Sequence, residues 1–183
     1  MSTQNPEVRT VRPIASGAGL DISSLMLLAM LLAAAFILNM TLGNALAIVG
    51  IKPQFIIAAY CLAIVATRPS HPQAVVLGLL SAVVCQVTTS IPGLNFVTES
   101  MGALAMSLLA DSALSKGRAM PLIAAFVATL VSGLLFATLG NVVMGASMAT
   151  TLVKLPIVVG TAAFNAVVVQ LLAPVVTRAS HRR

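Results

Sequence analysis

The chain contains no tryptophan, a single tyrosine and only four acidic residues, Glu7, Asp21, Glu99 and Asp111, among its 183. Charged residues make up 8% of it and hydrophobic ones 59%; the mean hydropathy of +1.06 lies far beyond that of a water-soluble domain of this size. Cys61 and Cys85 sit inside apolar runs without C-x-x-C spacing, so they read as small buried hydrophobes rather than as a redox pair or metal ligands. No G-x-x-x-x-G-K-[ST] phosphate loop occurs, so any ATP hydrolysis has to come from partner chains. His71 and His181 fall in segments expected to be cytoplasmic, away from the acids and cysteines. That leaves no nucleophile–base pair and no metal cluster, so neither an enzyme nor a cofactor is expected.

What the sequence has instead is long apolar runs rich in Ala, Leu and Val. Such runs satisfy their own backbone hydrogen bonds as helices, whereas an outer-membrane barrel shows short alternating segments. The expected fold is an all-α integral membrane protein, a bundle of six transmembrane helices. Proline and charged breakers divide the chain at approximately 22–42, 53–67, 72–90, 98–115, 120–140 and 154–177. Asp21 with Ser23 and Ser24 caps the first, and Pro53, Pro72, Pro121 and Pro156 stand at or near later starts. Fusing the second and third segments across "TRPSHPQ" would bury Arg68 and two prolines, at about 3 kcal/mol for the arginine alone, and is rejected. Residues 1–20 read as a polar tail without a signal-peptide cleavage site, 21–178 as the membrane domain and 179–183 as a second tail.

The formal net charge of +6 does not point to nucleic acid, because the basic residues are scattered between apolar segments without interleaved aromatics. They bear on topology. Arg9, Arg12, Arg68, Lys116, Arg118, Arg178, Arg182 and Arg183 fall on the side of the termini and only Lys52 and Lys154 on the other, which makes the termini cytoplasmic by the positive-inside rule.

With that orientation the polar residues are unevenly placed. Asn39, Gln86, Asn95, Glu99 and Asn141 fall in the outer third of a span or in an outer loop, with Tyr60 and Asn165 nearer mid-depth. A polar group facing lipid forfeits its hydrogen bonds, so the set is expected to turn inward and line a cavity open to the exterior. Its charged members, Lys52, Glu99 and Lys154, suit a zwitterion, a cation for its carboxylate and an anion for its ammonium. Two plainer readings stand beside this. Asn39, Gln86 and Asn141 taken singly also suit bonds to neighbouring helices, and Lys52 and Lys154 suit headgroup contacts. Asp21 and Asp111 are explained by capping or charge balance. In the first segment Ala29 and Ala33 stand four residues apart on one face, a small-xxx-small spacing that serves internal packing or lets a partner helix approach closely.

At "GIKPQFIIAAYCLAIVATRP" and "VLGLLSAVVCQVTTSIPGLNFVTE" the chain resembles the bacterial tryptophan transport protein family, whose members resemble the membrane-embedded S components of energy-coupling factor (ECF) transporters. The resemblance rests on Gly50, Lys52 and Pro53, on Thr88, Thr89, Pro92 and Gly93, and on Asn95 with Glu99. It covers residues 22–115, with Gln54 where that family carries an acid. It implies an S-component bundle in the bacterial plasma membrane, with Lys52 and Glu99 as contacts to a small-molecule substrate. It also implies docking through Ala29 and Ala33 onto a transmembrane scaffold driven by two cytoplasmic ATPases. An indole would want aromatic walls, for which Phe55, Tyr60, Phe96 and Phe164 are the candidates. The alternative is a self-sufficient secondary carrier, although no inverted repeat is evident.

Overall fold

A computed structural model describes residues 22–47, 53–112, 115 and 117–180, so Asp21, Lys52, Lys116 and His181 lie outside the described residues. Those described form helices joined by turns, without strands: α1 (Ile22–Leu38), a π-helical turn (Asn39–Gly43) leading into α2 (Asn44–Ala47), α3 (Phe55–Thr67), α4 (His71–Cys85), α5 (Leu94–Asp111), α6 (Met120–Val143) and α7 (Ala149–Ser180). Three stretches are long and apolar enough to cross a membrane: Ile22–Leu46, Met120–Val143 and Ala149–Ser180. Phe55–Thr67 and His71–Cys85 are shorter apolar helices.

The first helix runs past the expected end at residue 42 through a π-helical turn, in which polar side chains bond back to the preceding turn. Thr41 Oγ1 donates to Ile37 O at 2.8 Å, and Asn44 Nδ2 donates to Met40 O at 2.9 Å. Such i−4 bonding competes with the backbone ladder and accompanies its widening into a π turn. α3 ends where expected. Arg68 takes a left-handed conformation, φ 47°, and returns its N–H to Ile64 O at 2.9 Å, while its guanidinium donates to the Ala110 carbonyl at the far end of α5. Ser70 and Gln73 then form a capping box that starts α4. α4 and α5 are joined through Gly93, whose φ of 85° only glycine adopts without strain. α5 begins at Leu94, ahead of the expected start near 98, so Asn95 is helical along with Glu99. α7 begins at Ala149, which places Lys154 and Pro156 inside it instead of at its start.

α3 is the axis of the bundle. Every residue from Phe55 to Ala66 is buried, and the helix packs against α1, α4, α5, α6 and α7, which is why its sequence is apolar on all faces. Around it, α5 lies between α4 and α6, and α6 packs on α7. The polarity is inverted relative to a water-soluble bundle. Ile22, Leu152, Val153 and Leu171 are exposed on the outside, while Ser81, Thr98, Glu99, Thr129, Ser132, Asn141 and Asn165 are buried. An apolar exterior over a polar interior is consistent with a membrane protein.

The contact between α4 and α5 depends on Gly78. A methyl there would stand 2.7 Å from the Glu99 carbonyl oxygen, 2.8 Å from Ala103 Cβ and 3.0 Å from Ser100 Cα, and backbone atoms cannot yield without moving the helix. Gly78→Ala is therefore expected to destabilise the fold by about 1–3 kcal/mol. Gly160→Ala, a helical position with open space around it, is expected to stabilise by about 0.5–1 kcal/mol. Thermal unfolding in detergent checks both, and equal effects would refute the close-approach account.

Candidate functional site

One end of the bundle holds a cavity of about 350 Å³, bounded by the start of α3, the end of α4, the start of α5, the C-terminal half of α6 and the N-terminal half of α7. Its walls are sorted by chemistry. Ile57, Phe136, Ala137, Ile157 and Val158 give an apolar side, while Gln54, Thr88, Thr89, Asn95, Glu99, Thr129, Ser132, Lys154 and Thr161 supply polar groups. Within each helix the contributors recur every three or four residues, so the cavity receives one face of each.

Glu99 is the most deeply buried ionisable acid or base among the described residues that line the cavity, 2% exposed. The hydroxyls of Ser132, Tyr60 and Thr98 surround it, yet Glu99 Oε2, Tyr60 Oη, Thr98 Oγ1 and Asn165 Oδ1 are buried without hydrogen-bond partners among the described residues. An ionised carboxylate held away from water is costly unless paired. Among the described residues the one acid–base contact within salt-bridge distance is His71 with Asp111, at the other end of α4 and α5, an ion pair only when the imidazole is protonated. Glu99 thus presents an uncompensated acceptor at the cavity wall.

Among the described residues the cation lining the same cavity is Lys154, which Asn141 orients. Lys154 Nζ donates to Asn141 Oδ1 at 2.9 Å, and Asn141 Nδ2 donates to Thr151 Oγ1 at 2.7 Å. An ammonium has no acceptor, so the amide's orientation is fixed at both ends. Asn141→Leu, which preserves volume, is expected to free the lysine and weaken binding of a carboxylate-bearing ligand by about 0.5–1.5 kcal/mol. Titration calorimetry checks this, and unchanged affinity would mean that Lys154 needs no such support.

The residues expected at the site divide into three groups. Asn95 and Glu99 line the cavity, Asn95 Oδ1 accepting from Thr89 Oγ1 at 2.7 Å. Asn39, Tyr60, Gln86 and Asn165 do not line it. Asn39 donates to Gln54 Oε1 at 3.4 Å and accepts from Phe55 N at 2.9 Å, and Asn165 Nδ2 donates to Gln54 O at 3.1 Å. Both therefore hold Gln54, which does line it. Gln86 Oε1 accepts from Gly93 N at 2.9 Å and shapes the α4–α5 turn, and Tyr60 stands behind the carboxylate. The third group is Lys52, outside the described residues.

The aromatic walls differ from expectation as well. Phe55 and Phe164 pack edge-to-face on each other, centroids 5.7 Å apart, Phe96 is exposed on the outside, and the ring at the cavity is Phe136. The expectation that His71 stands apart from the acids is overturned. α4 begins where α5 ends, so His71 Nε2 lies 3.8 Å from Asp111 Oδ2 and Nδ1 lies 2.7 Å from Ser107 Oγ. Ser107 is 1% exposed, so this hydroxyl is packed between helices rather than offered to a substrate. Ala29 and Ala33 are exposed on α1, in an apolar groove of about 450 Å³ bounded also by Leu28, Leu32 and Phe36 and by Leu80 and Val84 of α4.

Comparison of the chain with family models, with curated proteins and with solved structures returned no match.

Proposed function

We propose that this chain is the substrate-binding membrane subunit of an ECF-type importer, and that it captures a small zwitterionic metabolite in the cavity between α3, α5, α6 and α7. The observation that carries the proposal is the pairing of a buried carboxylate, Glu99, whose Oε2 has no hydrogen-bond partner among the described residues, with an oriented ammonium, Lys154, on the walls of one cavity. A ligand ammonium satisfies the first and a ligand carboxylate the second, so each charge compensates the other partner's desolvation. Amino acids and zwitterionic vitamins have this pattern. Tryptophan is the amino acid that the family resemblance suggests, and Phe136 is the ring against which its indole would stack.

In this reading the bundle lies in the bacterial plasma membrane, with the termini cytoplasmic and the cavity facing out, as the basic residues direct. A transmembrane scaffold docks at Ala29 and Ala33, and two cytoplasmic ATPases supply the energy. The test is equilibrium binding of an amino-acid and vitamin panel to the purified chain in nanodiscs, followed by uptake into proteoliposomes that hold this chain alone. Tight capture without uptake is expected. Uptake without any ATPase would replace the proposal with a secondary carrier, and absence of capture would remove it.

A further inference from the structure

We propose that Gln54 is a specificity-determining residue whose amide is held with Nε2 towards the cavity, where it reads the ligand's carboxylate. This rests on the reading of the cavity as a zwitterion site and assigns a group that the charges alone do not.

The inference follows from a chain of hydrogen bonds whose direction is fixed at its origin. A backbone N–H only donates, so Phe55 N, 2.9 Å from Asn39, identifies the atom it meets as Oδ1. Asn39 then has Nδ2 on its other side, and that amide donates to Gln54, 3.4 Å away, through Oε1. With Oε1 engaged, the end of the Gln54 amide left for the cavity is Nε2, with two N–H donors. Asn39, the first residue of the π turn, does not itself line the cavity but thus sets the polarity of a side chain that does.

Gln54 is also fixed at its backbone. Its carbonyl accepts from Asn165 Nδ2 at 3.1 Å and from Ile57 N at 3.0 Å, so both α7 and α3 hold it. It is the N-cap residue of α3, a helix of 13 residues with no acid in its first turn. The positive end of that helix favours a negative group. A donor amide at such a position complements a carboxylate and opposes the N–H of a carboxamide.

Two variants of the full chain in nanodiscs test this. Asn39→Asp keeps the acceptor for Phe55 N but replaces the Nδ2 donor with a second acceptor. That turns the Gln54 amide over and presents Oε1 to the cavity. Gln54→Glu keeps the acceptor for Asn39 and puts a carboxylate where Nε2 stood. The probes are an equimolar mixture of the proteinogenic L-α-amino acids and the matched mixture of their α-carboxamides, read by the rise in thermal midpoint that binding produces.

The wild-type chain is expected to be stabilised by the acids and not by the amides. In each variant the acid concentration needed for the same rise increases about 10- to 100-fold, while the amides gain. A structural role for Asn39 or Gln54 would weaken both mixtures together or preserve the preference for acids, and either result overturns the assignment. Should Asn39→Asp fail to fold, Gln54→Glu decides by the same criterion. A wild-type chain indifferent to both mixtures removes the amino-acid reading of the cavity and the inference with it, a result distinct from a variant that fails to change preference.

Discussion

Glu99→Gln is expected to weaken binding of a zwitterionic ligand by about 1.5–3 kcal/mol, the contribution of a hydrogen bond to a charged group, or roughly 10- to 150-fold in affinity. The substitution is nearly isosteric, so the cavity keeps its shape. What changes is the charge opposite the ligand's ammonium and one acceptor that becomes a donor. The same variant is expected to leave the empty protein as stable as before or more so. Glu99 is 2% exposed and its Oε2 has no partner among the described residues, and an uncompensated charge in such surroundings opposes folding.

The two effects have opposite signs, and that is what separates a ligand-binding carboxylate from a structural one. A carboxylate retained for packing would lose stability on replacement, and its ligand affinity would fall only as far as the fold loosened. Calorimetric titration of the captured ligand, with thermal unfolding of the ligand-free variant, measures both. Unchanged affinity, or a loss of stability equal to the loss of binding, would remove Glu99 from the site. A ligand analogue lacking its ammonium supplies the complementary check, since it should distinguish poorly between wild type and variant.

The helices of this chain were legible because their boundaries are marked by residues that cannot continue an apolar helix. Arg68 with Pro69 ends α3, and Pro121 opens α6. The polar depth of the bundle was legible too, since position along a helix translates directly into height. Direction around the helix axis was not. Asn39 was expected to face the cavity, and its height agrees, but its side chain turns to the start of α3 and orients Gln54. Tyr60 lies on a helix buried on every side, so its sequence has no apolar face to reveal where the hydroxyl goes. Lys154 looked equally suited to lipid headgroups. Lys154 is exposed, and Asn141, across the α6–α7 turn, accepts from it where it borders the cavity. The approach of His71 to Asp111 joins residues 40 apart in sequence order, and no local pattern announces such a contact. Thr129, Ser132 and Phe136 did carry a usable signal, since they recur at helical spacing on α6 and all line the cavity. Single hydroxyls in membrane helices so often bond to their own backbone that the spacing was easily passed over, and Thr129 Oγ1 does donate to Ala125 O at 2.8 Å.

Ala33→Leu is expected to leave ligand capture intact and to abolish uptake by the importer proposed above. Ala33 is exposed on α1 and does not border the cavity, so the change should alter folding stability by no more than about 0.5 kcal/mol. It does fill the groove between α1 and α4 that Ala29 and Ala33 open. Helices in lipid associate mainly through close van der Waals contact, because hydrocarbon offers no hydrophobic gain, and small residues are what let the backbones approach. A leucine there holds a partner helix away, and the contacts along the whole groove are lost together. Ala34→Leu, exposed on the adjacent face of the same helix and outside the groove, is the control and should sustain uptake. Co-purification of the scaffold with each variant, together with uptake and binding, resolves the possibilities. Loss of binding in Ala33→Leu would mean that the groove serves packing within the bundle. A change in self-association with the scaffold still bound would mean that it seats a second copy of the chain, and undiminished uptake would show that docking occurs elsewhere.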